Sequence, residues 1–305
     1  MTPSTHDPNS ANEQPPRDHN LCPCTLKWRQ GKLLVRRWAS PQLSYVPVIE
    51  SEQWLSDRLK CSSVKAISLD PALSETELQL WANACEQAGK SVFLRIASKP
   101  KLPRKHSRFS WYLKYLIDWS AAALLIVVLS PVLLALAALI SISSSEPVFL
   151  CQWRVGKRGK LFRMLKFRTM VVDAEKLHHQ IVSDQSDSHQ CEENPPVTVL
   201  GHWMRKWSLD KLPQLINVLR GEMSLVGPCP WTLYDVGQLN SKGLRRLNVR
   251  PGMTGVWRVK AQSNLLDIEA LNRCDLDYLI SWSLWQDFKI LLMIFPNVLS
   301  FFYAC

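Results

Sequence analysis

The chain has 305 residues, enough for one or two domains with a sizeable core, and carries 37 Lys and Arg against 26 Asp and Glu, a net charge of +11. The surplus lies in two acid-free stretches, six basic residues in 99–114 and seven in 154–168; without them 24 basic residues face 26 acidic ones. With a long uncharged apolar run between these stretches, this excludes a collagen-like, disordered or disulfide-framework protein and argues against a purely soluble enzyme.

Nine cysteines at irregular spacing contain no C-x-x-C pair and no zinc pattern, and Cys22 and Cys24 read as free thiols. A reducing, cytoplasmic setting follows for the bulk of the chain. Thirteen Trp is a high number, and Trp collects at membrane–water interfaces. Residues 1–24 are polar, lack an apolar h-region and read as a disordered tail, not a signal peptide.

Residues 25–98 read as a small α/β module with a regulatory or docking role. Strands are expected at Lys32–Arg37, Val64–Leu69 and Val92–Ile96, with a short helix at Glu52–Leu59. Ser74 and Glu77 form a capping box, Leu78, Trp81, Cys85 and Ala88 recur at helical spacing, and Gly89 suits the position just past the helix end. Residues 99–146 read as a basic linker followed by a membrane helix. Trp119–Ile140 has no charge and is long enough to cross a hydrocarbon core of about 30 Å. Pro131 removes a hydrogen bond in its middle, and both flanks are basic although Lys and Arg mark the cytoplasmic side. A re-entrant helix, bent at Ser130-Pro131 with the Ser130 hydroxyl capping a freed carbonyl, satisfies both flanks better than a crossing one.

Residues 147–305 have the composition of an irregular mixed α/β catalytic domain. Helices are expected at Asp173–Ile181 and from Asp210 to Arg220, stopping at Gly221. His178, His179 and His189 read as surface residues around a polar loop, Ser183–Pro196. Tyr278–Phe302, rich in Trp and Phe, reads as an interfacial amphipathic helix.

The segment with the clearest chemistry is Arg205-Lys206-Trp207-Ser208-Leu209-Asp210-Lys211-Leu212-Pro213-Gln214. Proline belongs in a first helical turn, which places Asp210 at or near the helix N-cap, where free N–H groups attract phosphate. An ionised carboxylate beside phosphate can act as a nucleophile. By itself the residue would be read as a plain cap.

It belongs, however, to an ordered series. Ser130-Pro131 is followed by Gln152-Trp153-Arg154-Val155-Gly156, Lys166-Phe167-Arg168-Thr169-Met170, the Ser-Leu-Asp segment, Gly221-Glu222-Met223-Ser224-Leu225-Val226-Gly227-Pro228, Pro251-Gly252-Met253-Thr254-Gly255 and Tyr278…Trp282-Ser283-Leu284…Asp287. From residue 108 to about 300 this strongly resembles the bacterial sugar transferase family, the monotopic phosphoglycosyl transferases. The resemblance implies a re-entrant membrane helix and a catalytic domain on the cytoplasmic face of the inner membrane. It implies transfer of a sugar-1-phosphate from a UDP-sugar to a polyprenyl phosphate with Mg2+, starting exopolysaccharide assembly. The residue matching Asp210 would attack the β-phosphorus, release UMP and hold the phosphosugar, with Lys166 and Lys211 beside it. Arg168, Arg205, Pro228, Pro251, Thr254 and Gly255 fall at substrate-binding motif positions, the last three in a turn whose backbone can approach a nucleotide. Asp275 matches a family acid that holds metal with Asp210 or orients a basic residue. Partners implied are the UDP-sugar, the polyprenyl phosphate, membrane lipid and downstream glycosyltransferases. No nucleic-acid motif accompanies the basic stretches, and Gly156–Lys160 lacks Walker spacing.

The chain departs from the family pattern. Lys211 stands where Glu is usual, in a Trp-Ser-Leu-Asp-Lys variant resembling a subgroup linked to cyanobacterial heterocyst-envelope polysaccharide. Cys229 replaces an Arg, Asn194 and Pro196 replace an Asp and an Arg, and Arg258 and Gln262 replace a Gln and an Arg. Losing several phosphate donors, each worth about 1.5–3 kcal/mol, leaves a second reading beside the enzyme: a weakly active or inactive homologue acting as a membrane scaffold.

Overall fold

The computed structural model describes residues 24–29, 31–37, 51–96, 108–143, 146–170, 197–238, 243–260 and 268–299. The N-terminal tail, the basic linker before residue 108, the expected helix at Asp173–Ile181, the three histidines near it, Asn194, Pro196 and Gln262 lie outside them.

The first unit is a four-stranded sheet carrying two helices. Strand β1 (Cys24–Arg29) pairs antiparallel with β2 (Lys32–Arg37) around Gly31, and β2 pairs parallel with β3 (Ala66–Leu69), which pairs parallel with β4 (Ser91–Leu94). Helix α1 (Glu52–Lys60) and helix α2 (Glu75–Gln87) make the two parallel crossovers. The capping box at Ser74 and Glu77 forms as expected, and Gly89 sits at φ +65° past the helix end. Strand β1, absent from the sequence reading, completes a hairpin. Val35, Val64, Ile67, Leu69, Leu78 and Trp81 fill the core, which runs on without a break into Val155, Leu161, Trp231, Leu233 and Leu247 of the following unit. Trp153 donates its indole N–H to Asn83 Oδ1 at 2.8 Å, and Arg163 pairs with Glu86 at 2.6 Å across the same junction.

Helix α3 (Arg108–Ser143) is the long apolar helix, and its residues 109–143 are long and apolar enough to cross a membrane. Pro131 has no N–H for the Val127 carbonyl, and Ser130 Oγ donates to that carbonyl at 2.8 Å instead. The outer face of the helix is bare, with Leu124, Val127, Val128 and Leu134 between 61% and 71% exposed, while on the inner face Ala122 is buried and Ala121 and Ile126 pack on the core. Both ends are held. Trp111 stacks on Trp282 with centroids 4.3 Å apart, and Lys114, buried, pairs with Asp287 at 2.7 Å and Asp118 at 3.3 Å. At the far end Leu136 and Ile140 are buried with Phe167 and Met204.

The remaining elements are short. Strands β5 (Phe149–Val155) and β6 (Leu161–Phe167) form an antiparallel hairpin closed by a 3-10 turn at Lys157–Gly159. Helix α4 (Val199–Lys206) leads to a 3-10 turn at Leu209–Lys211, then helix α5 (Gln214–Leu219), strand β7 (Ser224–Val226) and helix α6 (Leu233–Gln238). A 3-10 turn at Gly243–Asn248 precedes strand β8 (Gly252–Thr254), parallel to β7, and helix α7 (Val256–Lys260). The C-terminal segment forms two helices, α8 (Ile268–Ser281) and α9 (Leu284–Leu299), instead of the one expected over Tyr278–Phe302. The break has a cause. Ser283 Oγ accepts from the Gln286 N–H, and Asp287 turns inward to accept from Lys114, Tyr278 and Trp282. Outward, Trp285, Phe288, Leu292 and Met293 remain exposed on α9, an apolar face suited to a membrane interface.

Candidate active site

Asp210 does not cap a helix. It lies in the 3-10 turn ahead of α5, which begins at Gln214 with Pro213 at its N-cap, four residues later than expected. The reason is Ser208, held at φ +56°, which turns the chain left-handed between α4 and the 3-10 turn. The helix end therefore supplies little of the positive field around Asp210; side chains do. The carboxylate is 8% exposed, and Oδ1 has no hydrogen-bond partner among the described residues. A buried, unpartnered carboxylate oxygen is costly to keep unless something binds it.

Three cations, Lys166, Lys211 and Arg258, face Asp210, and Arg205 adjoins the first two. Lys166 is pushed down to about 8, first by burial and then by Arg154, Lys211 and Arg205, with the Asp210 charge opposing. Lys211 is lowered by burial and by Arg258, again opposed by Asp210. Arg258 is lowered by burial, with Asp210 the charge that offsets it, and it donates to Ser208 Oγ. Arg205 is aimed by a 2.9 Å bond from Nε to Thr169 Oγ1. Its helix can come close to Thr169 because residue 201 is Gly: a Cβ there would lie 2.1 Å from the Thr169 carbonyl oxygen.

Strand alternation explains how Lys166 arrives. Gln152 and Arg154 share one face of β5, and the antiparallel register puts Lys166 of β6 on the same face. Gln152 Oε1 accepts from Lys166 at 3.1 Å and from Arg154 at 3.4 Å, so the amide spaces two cations that would otherwise repel. The hairpin is fixed by Asn217, fully buried on α5, which accepts from the Leu165 N–H and donates to the Arg163 carbonyl and Glu222. Arg154 and Arg258 are site residues that the sequence reading did not assign. The signal for Arg154 was present, two residues from Gln152 on an alternating strand.

The structure brings together Asp210, Lys211, Lys166 and Arg205. Arg168 is placed elsewhere, with Nε on the Pro147 carbonyl at 3.0 Å and a 3.6 Å pairing to Glu146, beside the exit of α3. The Pro228 and Pro251–Gly255 loops pack on each other: the Gly252 N–H reaches the Pro228 carbonyl at 2.8 Å and the Gly227 N–H reaches the Thr254 carbonyl at 2.9 Å. The close backbone approach read from this turn is therefore to Gly227; a Cβ on Gly252 or Gly255 would sit 2.2 Å from its nitrogen or oxygen. The buried Thr254 Oγ1 has no partner among the described residues.

Asp275 lies against a basic residue. It pairs with Arg246 at 2.8 Å, both side chains 1% exposed, and accepts the Cys229 N–H at 3.0 Å. Arg246 in turn donates to the Cys229 carbonyl and lies 4.2 Å over the Trp231 ring. Burial pushes the Asp275 carboxyl up to about 6 and the Cys229 thiol up to about 12, so the thiol is neutral. The residues present do not fit a resident Mg2+. Its hard oxygen ligands are carboxylates, phosphates and water, whereas Asp275 is enclosed by Arg246 and Asp210 is ringed by cations. Among the described residues no three His, Cys, Asp or Glu side chains gather as ligands.

A long apolar helix, a buried carboxylate with an unpartnered oxygen and a cationic cage are thus parts of one unit. Residues 109–301 match the bacterial sugar transferase family. The chain belongs to that family. A UDP-glucose:undecaprenyl-phosphate glucose-1-phosphate transferase of Caulobacter vibrioides is 34% identical over 248 residues, 79% of this chain and 88% of the relative. The galactosyl transferase CpsE of Streptococcus agalactiae is 40% identical over 156 residues, 50% of this chain and 35% of its own. A UDP-galactose-lipid carrier transferase of Erwinia amylovora is 32% identical over 260 residues, 81% of this chain and 53% of its own. The chain thus spans a third to a half of the length of the last two bacterial sugar transferases.

Proposed function

We propose that this chain is a phosphoglycosyl transferase moving a sugar-1-phosphate from a UDP-sugar to a polyprenyl phosphate. The observation carrying this reading is the buried Asp210 with an unpartnered oxygen inside a cage of Lys166, Lys211, Arg205 and Arg258. An Asp210 oxygen attacks the β-phosphorus of the donor, the bond from that phosphorus to the bridging oxygen breaks, and UMP departs. A phosphate oxygen of the polyprenyl acceptor then attacks the same phosphorus, and the bond to Asp210 breaks. Phosphoryl transfer depends chiefly on positioning and charge neutralisation, which the two lysines and two guanidinium groups supply. Mg2+ enters this proposal as a companion of the donor's diphosphate, not as a group held by the protein.

The catalytic unit is proposed to sit on the cytoplasmic face of the inner membrane, with α3 entering and leaving one leaflet. What supports re-entry is that Trp111 and Lys114 at one end of α3, Ala122 in its middle, and Leu136 and Ile140 at the other end all touch the same folded unit, so the helix lies along one side of it with only the outer face bare. The Ser130-Pro131 step, with the Val127 carbonyl already satisfied, is where a bend is cheapest. The product lipid would feed downstream glycosyltransferases of exopolysaccharide assembly.

Of the departures that carry the scaffold reading, Asn194, Pro196 and Gln262 lie outside the described residues, and the surroundings of Cys229 support an enzyme. Arg258 faces Asp210, and Arg154 lies by Cys229, with Nη1 on the Pro230 carbonyl at 3.4 Å and a buried Nε without a partner among the described residues. A guanidinium group is thus present beside Cys229 and another beside Asp210. Cys229→Arg is expected to bring no gain in rate and to lower stability, because the added charge meets Arg154 and Arg246 in a buried space; steady-state kinetics and thermal unfolding check both.

The direct test is UMP release by the full chain in detergent, given a panel of UDP-sugars and a polyprenyl phosphate; release with one sugar supports the reading and none with any sugar contradicts it. Lys166 also gives the rate a pH signature. Its charge is present below about 8 and lost above, so UMP release should fall through that pH. Lys166→Arg should carry activity to higher pH, as a guanidinium stays charged.

A further inference from the structure

At the other end of the hairpin from Lys166 lies a cavity of about 570 Å³, lined by Trp111, Tyr112, Tyr115, Lys157, Arg158, Asn248, Val249 and Arg250. Three cations meet there, and none of the described lining side chains is acidic. The Tyr115 ring carries two of them, Arg250 at 4.0 Å and Lys157 at 5.1 Å from its centroid. Lys157 Nζ also donates to the Tyr115 hydroxyl at 3.5 Å. Burial, Arg250 and Arg158 all lower the Lys157 ammonium, and no carboxylate opposes them. The cations are held in place by the rest of the fold. Arg158 sits at φ +59°, and the adjoining Gly159 is so close to β4 that a Cβ would lie 2.6 Å from the Leu94 carbonyl oxygen.

Such a cluster calls for an anion, and its surroundings say which kind. The cavity opens at the first turns of α3, where Phe109 and Tyr112 are 74% and 76% exposed, an aromatic rim of the sort found at the headgroup level of a bilayer. It is not the reaction centre: Leu161 and Lys166 are five residues apart on one strand, about 16 Å.

We propose that this cavity binds the headgroup phosphate of an anionic membrane phospholipid, with Lys157, Arg158 and Arg250 on the phosphate and Trp111, Tyr112 and Tyr115 against the glycerol and first methylenes. This rests on the reading that α3 lies in the membrane, but not on the transferase activity. Bound lipid would fix the depth at which the hairpin, and through it Lys166, rides on the bilayer.

The test is native mass spectrometry of the full chain released from neutral detergent, with dioctanoyl phosphatidylglycerol, dioctanoyl phosphatidylcholine or inorganic phosphate added. One phosphatidylglycerol per chain is expected, with phosphatidylcholine bound at least about tenfold more weakly. Arg250→Gln and Lys157→Gln should each weaken phosphatidylglycerol by a similar factor, and Asp210→Asn should leave it unchanged. Equal binding of the two lipids, displacement by inorganic phosphate at equal concentration, or unaltered binding in both cavity variants would overturn the proposal. So would loss of binding in Asp210→Asn, which would place the lipid at the reaction centre. Phosphatidylglycerol bound as expected by a chain that releases no UMP would sustain the cavity and defeat the transferase reading alone.

Discussion

Asp210→Asn is expected to abolish UMP release, with a loss on the order of a thousandfold or more, the scale seen when a covalent nucleophile is removed. The amide keeps the size of the carboxylate, and the fold makes no hydrogen bond to Oδ1 that would be lost. The substitution does remove a negative charge that favours the charged forms of Lys166, Lys211 and Arg258. The variant should therefore fold, with an unchanged circular dichroism spectrum, while Lys166 titrates below its wild-type value of about 8. A variant that keeps the wild-type rate would show that the carboxylate is not the attacking group.

Asp275→Ala carries the largest expected cost in stability, about 3–5 kcal/mol, because it strands the Arg246 guanidinium at 1% exposure. Both partners are disfavoured by burial, Asp275 raised and Arg246 lowered, which marks a pair whose loss of hydration outweighs its attraction. Replacing the two together, Asp275→Leu with Arg246→Met, should then cost less than Asp275→Ala alone. Thermal unfolding of the three proteins in detergent checks the order. The pH dependence follows from the same group. Asp275 titrates at about 6 in the folded chain and at about 4 when unfolded, so between these values the folded state holds the proton more tightly. Its contribution to stability rises as pH falls from about 6 to about 4 and is flat above, and it vanishes in Asp275→Ala. Activity should fall too, since Arg246 and Asp275 hold both the N–H and the carbonyl of Cys229 beside Arg154.

The N-terminal unit was legible where local chemistry decides it. The Ser74 capping box, the helical period from Leu78 to Ala88 and the apolar strands all depend on neighbours in sequence. Strand β1 was not, because Cys24–Arg29 is half basic and polar and becomes a strand only by pairing with β2. The Ser130-Pro131 step was readable to the atom, since a proline always frees the carbonyl four residues back. Asp210 was found by its segment but misplaced on the helix, because the left-handed Ser208 has no glycine or asparagine to announce it. Of the cage around it, Lys166, Lys211 and Arg205 were visible in the sequence, and strand alternation beside Gln152 marks Arg154. Arg258 was not, because it reaches the site through a pairing across the chain that spacing does not reveal. The sequence leaves Asp275 between a metal and a basic partner, because Arg246, with which it pairs, is 29 positions away. The apolar C-terminal segment read as one helix because the break depends on Asp287 turning inward, and its buried contact with Lys114 comes from a residue 173 positions away.

Intact-protein mass spectrometry of the full chain incubated with its UDP-sugar and no polyprenyl acceptor is the most direct measurement of the central claim. The account predicts a mass gain of one sugar phosphate, located by proteolysis on the peptide containing Asp210, absent in Asp210→Asn and discharged when polyprenyl phosphate is added. A wild-type chain that releases UMP and transfers the sugar phosphate while never gaining that mass, or that gains it on a peptide without Asp210, would contradict it.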